Sequence, residues 1–174
     1  MRRFTALASL VAILALPAGS SADPRAALTT SAQLQSSLLD QMNALRARHG
    51  LVQLRVSQRL TTAATVHSTS MARRGYFSHN SANGASFSQR IAYFYPARRY
   101  RSWSVGENLL WGSPDIGAAR ALRLWLASPE HRANLLNPRW REVGLAAVHS
   151  TRAPGVYRNH PATVVTADFG VRSR

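Results

Sequence analysis

Carboxylates are so scarce in this chain that each one is a candidate for chemistry. The only glutamates are Glu107, Glu130 and Glu142, and acidic residues number 7 against 22 basic ones, all of them arginine. Glu107 sits in Val105-Gly106-Glu107-Asn108-Leu109, a segment that reads as a turn followed by an apolar pair. His79 follows Tyr76-Phe77-Ser78 just past an expected helix end, and His131 is the third residue of a proline-started helical turn. Two imidazoles and a carboxylate can build a zinc site with an open coordination position. They can also build a general acid/base set around a bound water. The three lie far apart in sequence, so spacing does not choose, and each has a purely structural alternative: a surface His, or a Glu that caps a turn or pairs with Arg. Asp168 is a candidate for orienting a histidine or for capping a sheet end. His49, His67, His149 and His160 show no metal-binding spacing, and His67 falls on a buried helical stripe as a packed core residue.

Other chemistry is excluded by composition. Without cysteine there is no thiolate metal site, disulfide scaffold or cysteine nucleophile. Without lysine there is no Schiff base and no phosphate-loop lysine. Neither a Gly-x-Ser-x-Gly elbow nor a His-Glu-x-x-His helix is present. A second group of interest interleaves Tyr93, Phe94, Tyr95, Tyr100 and Trp103 with Arg98, Arg99 and Arg101. Such a mix can stack on sugars, lipid headgroups or bases. It can equally be a loop whose aromatics close the core.

Several elements must position these residues. Leu34, Leu38, Met42 and Leu45 mark one face of a helix over 31–48, stopped by Gly50. Leu60, Ala64, His67 and Met71 mark a second over 57–74, with Gly75 beyond its end. Ser86 and Gln89 form a capping box for a short helix through Tyr93. Ser113-Pro114 reads as the start of a fourth helix and Ser128-Pro129 as the start of a fifth, which carries His131. Residues 143–148 and 163–169 are rich in β-branched residues and read as a late antiparallel pair, with Gly155 in the long connection. Helices followed by strands predict an α+β domain, its sheet covered by helices.

The N-terminus reads as a targeting segment. Arg2 and Arg3 precede an apolar run over 4–16, and Ser20-Ser21-Ala22 supplies small residues for cleavage before Asp23. The run is shorter than the roughly 20 residues a membrane span needs. The expected organisation is a secretory signal peptide over 1–22, cleaved near Ala22, a short linker over 23–30 and a single domain over 31–174. The product is then secreted or periplasmic, with no transmembrane helix in the mature chain. Export argues against an intracellular nucleic-acid partner. The formal net charge of +15 predicts attraction to anionic surfaces or polymers.

Taken in order, the motifs resemble a family. Asn43-x-x-Arg46 with Gly50-Leu51 comes first, then Tyr76-Phe77-Ser78-His79 and Gly106-Glu107-Asn108. Trp125-x-x-Ser128-Pro129-x-His131-Arg132-x-Asn134-x-Leu136, Glu142-Val143-Gly144 and Asp168-Phe169-Gly170 complete the series. Over residues 36–170 the chain is similar to the CAP superfamily of cysteine-rich secretory proteins, antigen 5 and plant pathogenesis-related class 1 proteins, in its bacterial, SCP-like extracellular form. The resemblance implies an α-β-α sandwich with a cleft over an antiparallel sheet. In many members that cleft holds two His and two acidic residues able to bind zinc. By motif these are His79, Glu107 and His131, and zinc is the only cofactor implied. The second acidic residue follows the helix Trp in eukaryotic members. Here Trp125 is followed by Leu126, Ala127 and Ser128, and neither Glu130 nor Glu142 matches it.

Family activities are diverse, so the fold does not fix the function. The first expectation is a secreted, non-enzymatic binding module for lipid or another anionic envelope component, such as lipopolysaccharide or acidic glycan. Its contacts would include Arg98, Arg99, Arg101 and Trp103, with a divalent-metal cleft at His79, Glu107 and His131. The alternatives are a secreted hydrolase, zinc- or Glu-dependent, with Glu107 as base, and extracellular nucleic-acid binding through the arginine excess.

Overall fold

The computed structural model describes residues 27–174. The expected signal peptide and residues 23–26 of the expected linker lie outside the described residues. Among the described residues no helix is long and apolar enough to cross a membrane.

Among the described residues five α-helices flank one sheet. Helix α1 (Ala32–Arg48) starts where the Ser31 hydroxyl accepts the Leu34 N–H at 3.2 Å, and it buries Leu38, Met42 and Leu45. Helix α2 (Gln58–Arg74) ends on Gly75, whose φ of 74° is the left-handed geometry that glycine adopts freely. Helix α3 (Phe87–Phe94) carries the full capping box of Ser86 and Gln89. Helix α4 (Ala118–Ala127) starts later than expected, with Gly117 at its N-cap. Ser113 does not cap it, because its hydroxyl donates to the Pro161 carbonyl at 2.7 Å. Helix α5 (Pro129–Leu135) follows at once, capped by Ser128.

The sheet contains β1 (Leu28–Thr30), β2 (Arg55–Val56), β3 (Ser102–Gly112), β4 (Glu142–Ala153) and β5 (His160–Ser173). Their order is β1-β4-β5-β3, with β2 beside β4. All pairings are antiparallel except the two-residue β2, which runs parallel to β4. The end of the expected linker, residues 28–30, is thus an edge strand. The late antiparallel pair is present and longer than its β-branched stretches. Strand β3 has no counterpart among the expected elements, and the turn predicted before Glu107 is instead continuous strand. The sequence hides it because Val105 is the only β-branched residue in its eleven positions.

Period-2 alternation divides the core between two faces. Val143, Leu145 and Ala147 of β4 and Val165, Ala167 and Phe169 of β5 pack with α1, α4 and Trp140. On the opposite face lie Val148, Val164 and Leu109 with Met71 of α2, and beside them Leu60 of α2 with Ile91 and Tyr95. This is an α-β-α sandwich. Gly144 lets α2 come close: a Cβ there would stand 2.0 Å from the Leu60 carbonyl carbon, so any side chain would push the helix off the sheet.

Candidate functional site

The Gly106-Glu107-Asn108 segment works on both faces of β3. Gly106 leaves room for the Asn134 amide and the Trp140 ring, each 2.9 Å from where a Cβ would stand. Asn108 donates to the His131 carbonyl at 3.0 Å, and Asn134 donates to the Glu107 carbonyl and to Asn108 Oδ1, both at 3.0 Å. These bonds tie α5, and with it His131, to the strand that carries Glu107.

The Glu107 side chain points to the α2 face, where it is fully enclosed. Its Oε1 lies 2.8 Å from His79 Nδ1, and its Oε2 pairs with the Arg90 guanidinium. Arg90 also donates through Nη1 to the His79 carbonyl at 3.1 Å and to Ser81 Oγ at 3.3 Å. One guanidinium therefore holds both the carboxylate and the backbone of the histidine that the carboxylate contacts. With Glu107 accepting, the His79 proton sits on Nδ1 and Nε2 remains the free acceptor. The His79 side chain is half exposed.

Two buried residues complete the cluster. Asp168 faces Glu107 directly across the β3–β5 ladder. It is completely buried, and its carboxyl meets that of Glu107, with which it hydrogen-bonds when one of the two carries a proton. His67 lies beneath, its Nε2 2.9 Å from the Ser78 carbonyl. A carbonyl only accepts, so Nε2 carries the proton and Nδ1 is a buried nitrogen with no partner.

Two carboxyl groups thus share one full cation in a dry site. Burial raises both. Glu107 reaches about 7 despite the pull of Arg90. Asp168 is raised well above its ordinary value by burial and by the charge of Glu107. His67 falls to about 4 through burial and the neighbouring Arg90. His79 is lowered by burial and Arg90, and His131 by burial and His79. At neutral pH the imidazoles are uncharged.

The structure brings His79 and Glu107 into contact and places the His131 ring centroid 6.5 Å from that of His79. Two imidazoles bound to one tetrahedral zinc ion at about 2.05 Å put their ring centroids roughly 5 Å apart. The observed separation is wider than that. Both Glu107 oxygens are engaged, one by a cation that would repel a metal. Among the described residues no group of three or more His, Asp or Glu is arranged to hold a metal ion. The residues present do not fit a three-ligand zinc centre.

The aromatic segment divides in two. Trp103 Nε1 donates to the Tyr95 carbonyl at 2.7 Å, and its ring packs beside the α3 cluster. Tyr95 is buried, its hydroxyl donating to Glu142, with the Arg172 guanidinium 3.6 Å above its ring. Arg98, Arg99 and Arg101 are exposed at the turn before β3, as is Tyr93 at the end of α3. Arg90 is not among the expected site residues. Its signal is a basic residue beside Ile91 on the inward stripe of a short helix. Asp168 reads in sequence either as an orienter of a histidine or as a cap at the sheet end, and the strand register places it mid-ladder, opposite Glu107.

Comparison with known proteins agrees with this architecture. A chain segment of 111 residues is 32% identical to the uncharacterized membrane protein YlbC of Bacillus subtilis, covering 64% of this chain and 30% of that protein. A crystal structure of an extracellular protein containing an SCP domain from Bacillus anthracis is 28% identical, with a TM-score of 0.60, covering 80% of this chain and 40% of that one. An outer surface protein from Borrelia burgdorferi has the same fold at 22% identity, with a TM-score of 0.69, covering 85% and 99% of the two chains. This chain thus spans less than half of the Bacillus proteins. The family model for the cysteine-rich secretory protein family matches residues 39–169. That stretch encloses His67, His79, Arg90, Glu107, His131 and Asp168, and the chain belongs to the CAP, or cysteine-rich secretory protein, family.

Proposed function

We propose that this protein is a non-enzymatic binding module that acts outside the cytoplasm on an anionic envelope component such as phospholipid, lipopolysaccharide or acidic glycan. The observation that carries this reading is the enclosure of Glu107. Its side chain has no exposed surface and both oxygens are occupied, so the Glu107 carboxylate is not free to activate a water. What faces outward is neutral imidazole and a large excess of guanidinium, a surface suited to recognising anions. The export expected from the sequence and the exposed Arg98, Arg99 and Arg101 support the choice of partner. Co-sedimentation with anionic vesicles at low salt tests it. Wild type binds, and the triple Arg→Gln variant at these positions binds several-fold less. Equal binding by the two proteins removes the role of this arginine group, and no binding by wild type to any anionic vesicle or glycan removes the reading.

One observation favours a second reading. The 2.8 Å contact between His79 Nδ1 and Glu107 is the arrangement that orients an imidazole as general base, leaving Nε2 to take a proton from water. In that hydrolase Glu107 positions and His79 reacts, since Glu107 itself is inaccessible. A peptide and ester panel on which His79→Ala performs as wild type eliminates it.

A further inference from the structure

A groove of about 420 Å³ lies between α2 and α3. Part of its wall is aromatic. Tyr93 is 82% exposed, and its ring stands edge-on against Phe94, with centroids 5.0 Å apart at 81°. The ring is open to solvent yet held in place. Val66 of α2 adds another exposed apolar contact. The polar rim presents donors of fixed direction. Asn83 Oδ1 accepts the Ala85 N–H at 3.2 Å, and Gln89 Oε1 accepts the Ser86 N–H at 2.9 Å. Each amide is thus anchored by its oxygen, and neither NH2 group donates to a partner among the described residues. Ser81 Oγ accepts from Arg90 and Ser70 Oγ from the Tyr76 hydroxyl, so both hydroxyls have a proton left to give. Among the described residues no carboxylate lines the groove. His67 and Arg90 are buried and only close its floor. The accessible lining therefore suits a ligand that brings acceptor oxygens together with an apolar face.

We infer that the α2–α3 groove is a binding site for an N-acetylated hexosamine unit of a glycan. The C–H face of the pyranose ring, slightly positive, stacks on the negative face of the Tyr93 ring. The acetamido carbonyl accepts from the NH2 groups of Asn83 and Gln89, and the acetamido methyl group rests on the apolar surface at Val66. Sugar oxygens accept from Ser70 and Ser81. A plain hexose lacks both the carbonyl and the methyl group, so the site distinguishes the two. The aromatic ring and both amides are already held, so little side-chain freedom is lost on binding. The sugar needs no charge and does not meet Arg98, Arg99 or Arg101. This site therefore does not rest on the binding of an anionic envelope component proposed above.

The test compares three disaccharides that share rings and linkage and differ at position 2: N,N′-diacetylchitobiose, its deacetylated form chitobiose, and cellobiose. Each is titrated into the protein while side-chain amide and tyrosine ring resonances are followed by NMR. The diacetyl sugar is expected to bind about tenfold more tightly than the other two. It is expected to move the NH2 signals of Asn83 and Gln89 and the ring signals of Tyr93, leaving Gln33 and Gln41 in the trough between α1 and α4 in place. Asn83→Asp and Gln89→Glu keep the oxygen that accepts the backbone N–H and lose the NH2 group, and each weakens binding about fivefold. Tyr93→Ala, at an exposed position, removes the stacking face and also costs about fivefold. Equal affinity for the three sugars overturns the acetamido recognition. Shifts at Gln33 and Gln41 instead overturn the location, as do three variants that bind like wild type. Absence of binding at millimolar sugar overturns the site itself. Co-sedimentation with chitin and with peptidoglycan, two polymers that contain this unit, separates its sources at a high salt concentration that screens the arginine charge. Wild type is retained by at least one of them and Tyr93→Ala by neither, whereas equal behaviour of the two proteins on both polymers overturns the proposal.

Discussion

Among the described residues two arginines are buried, and the fold treats them in opposite ways. Arg46 of α1 is completely buried and has no acidic partner among the described residues. Its Nε donates to the Val52 carbonyl at 2.9 Å, and Nη1 donates to Leu135 at 2.8 Å and Asn137 at 3.1 Å, with Trp140 O at 3.5 Å from Nη2. Those last three carbonyls lie at and beyond the end of α5, where the helix dipole favours a cation. Beside it Asn43 exchanges two hydrogen bonds with the backbone of Leu54. Arg90, across the sheet, holds two side chains and a carbonyl, and the cluster around it leaves His67 Nδ1 and its own Nε without partners among the described residues. The Arg46 network ties loops to helix ends with groups that do not titrate. The Arg90 network is made of groups that do, at a cost in unsatisfied polar atoms. A protein retains such a cost most often where it serves a site.

The largest expected effect breaks the first network. Arg46→Met strands carbonyls from three segments and is expected to cost about 3–5 kcal/mol in denaturant unfolding. That loss is expected to be nearly independent of pH between 5 and 8, because carbonyl groups do not titrate. Arg90→Met is expected to cost less, about 2 kcal/mol near neutrality, since Glu107 can respond by taking up a proton. Its cost grows with pH, because the abandoned carboxyl groups resist ionising. If the two variants show the same pH profile, the distinction between a structural and a titrating network fails.

How much of this contrast the sequence carries follows from how local each signal is. Capping serines, stop glycines and helical stripes act within one turn: α1, α2 and α3 appear within a residue or two of their expected ends, and α5 starts where expected. The start of α4 departs from expectation because a distant carbonyl, that of Pro161, engages the Ser113 hydroxyl. Strand β3 escapes a sequence reading because its pairing with β5 is long-range and its own residues have little β-preference. The same limit governs the site. Glu107, His79 and His131 stand out as scarce residue types in recognisable motifs. Nothing local says that Arg90 closes over Glu107, or that Asp168 faces it across a ladder with a strand that the sequence does not announce. The motif residues Asn43, Arg46 and Asn134 are legible as a pattern, but only the fold shows that they bond backbone.

Asp168→Asn sharpens the comparison with a smaller effect of opposite sign. Glu107 and Asp168 are both raised in the folded state. Their contribution to stability is therefore present below their ordinary values near 4 and is lost as pH rises through the folded values. His67, lowered to about 4, works the other way: its contribution is present above 6.5 and is lost as pH falls through 4. Replacing Asp168 with a neutral amide removes one of the groups that resist alkali. The variant is expected to gain on wild type as pH rises from 5 to 8, by no more than about 1.4 kcal/mol per pH unit for one proton. Parallel stability curves for the two proteins would show that Asp168 is already satisfied and that the cluster is as inert as the one at Arg46.

The smallest expected effect is on zinc. Titrating zinc into metal-stripped protein by calorimetry, beside a His79→Ala/His131→Ala double variant, asks whether the titrating network also serves as a metal centre. The geometry predicts little difference between the two proteins. Glu107 is held by Arg90 and His79, and the imidazole pair stands wider than a shared tetrahedral zinc ion would hold it. Two neutral imidazoles without a carboxylate give a weak site at best. Tight binding by wild type that disappears in the double variant would mean that the rings swing together when metal arrives. The cluster would then be a metal site assembled on demand, and Arg90 would have to release Glu107 for the carboxylate to join it. Arg90→Met would then bind zinc more tightly than wild type, whereas a cluster that only positions His79 gives no such gain.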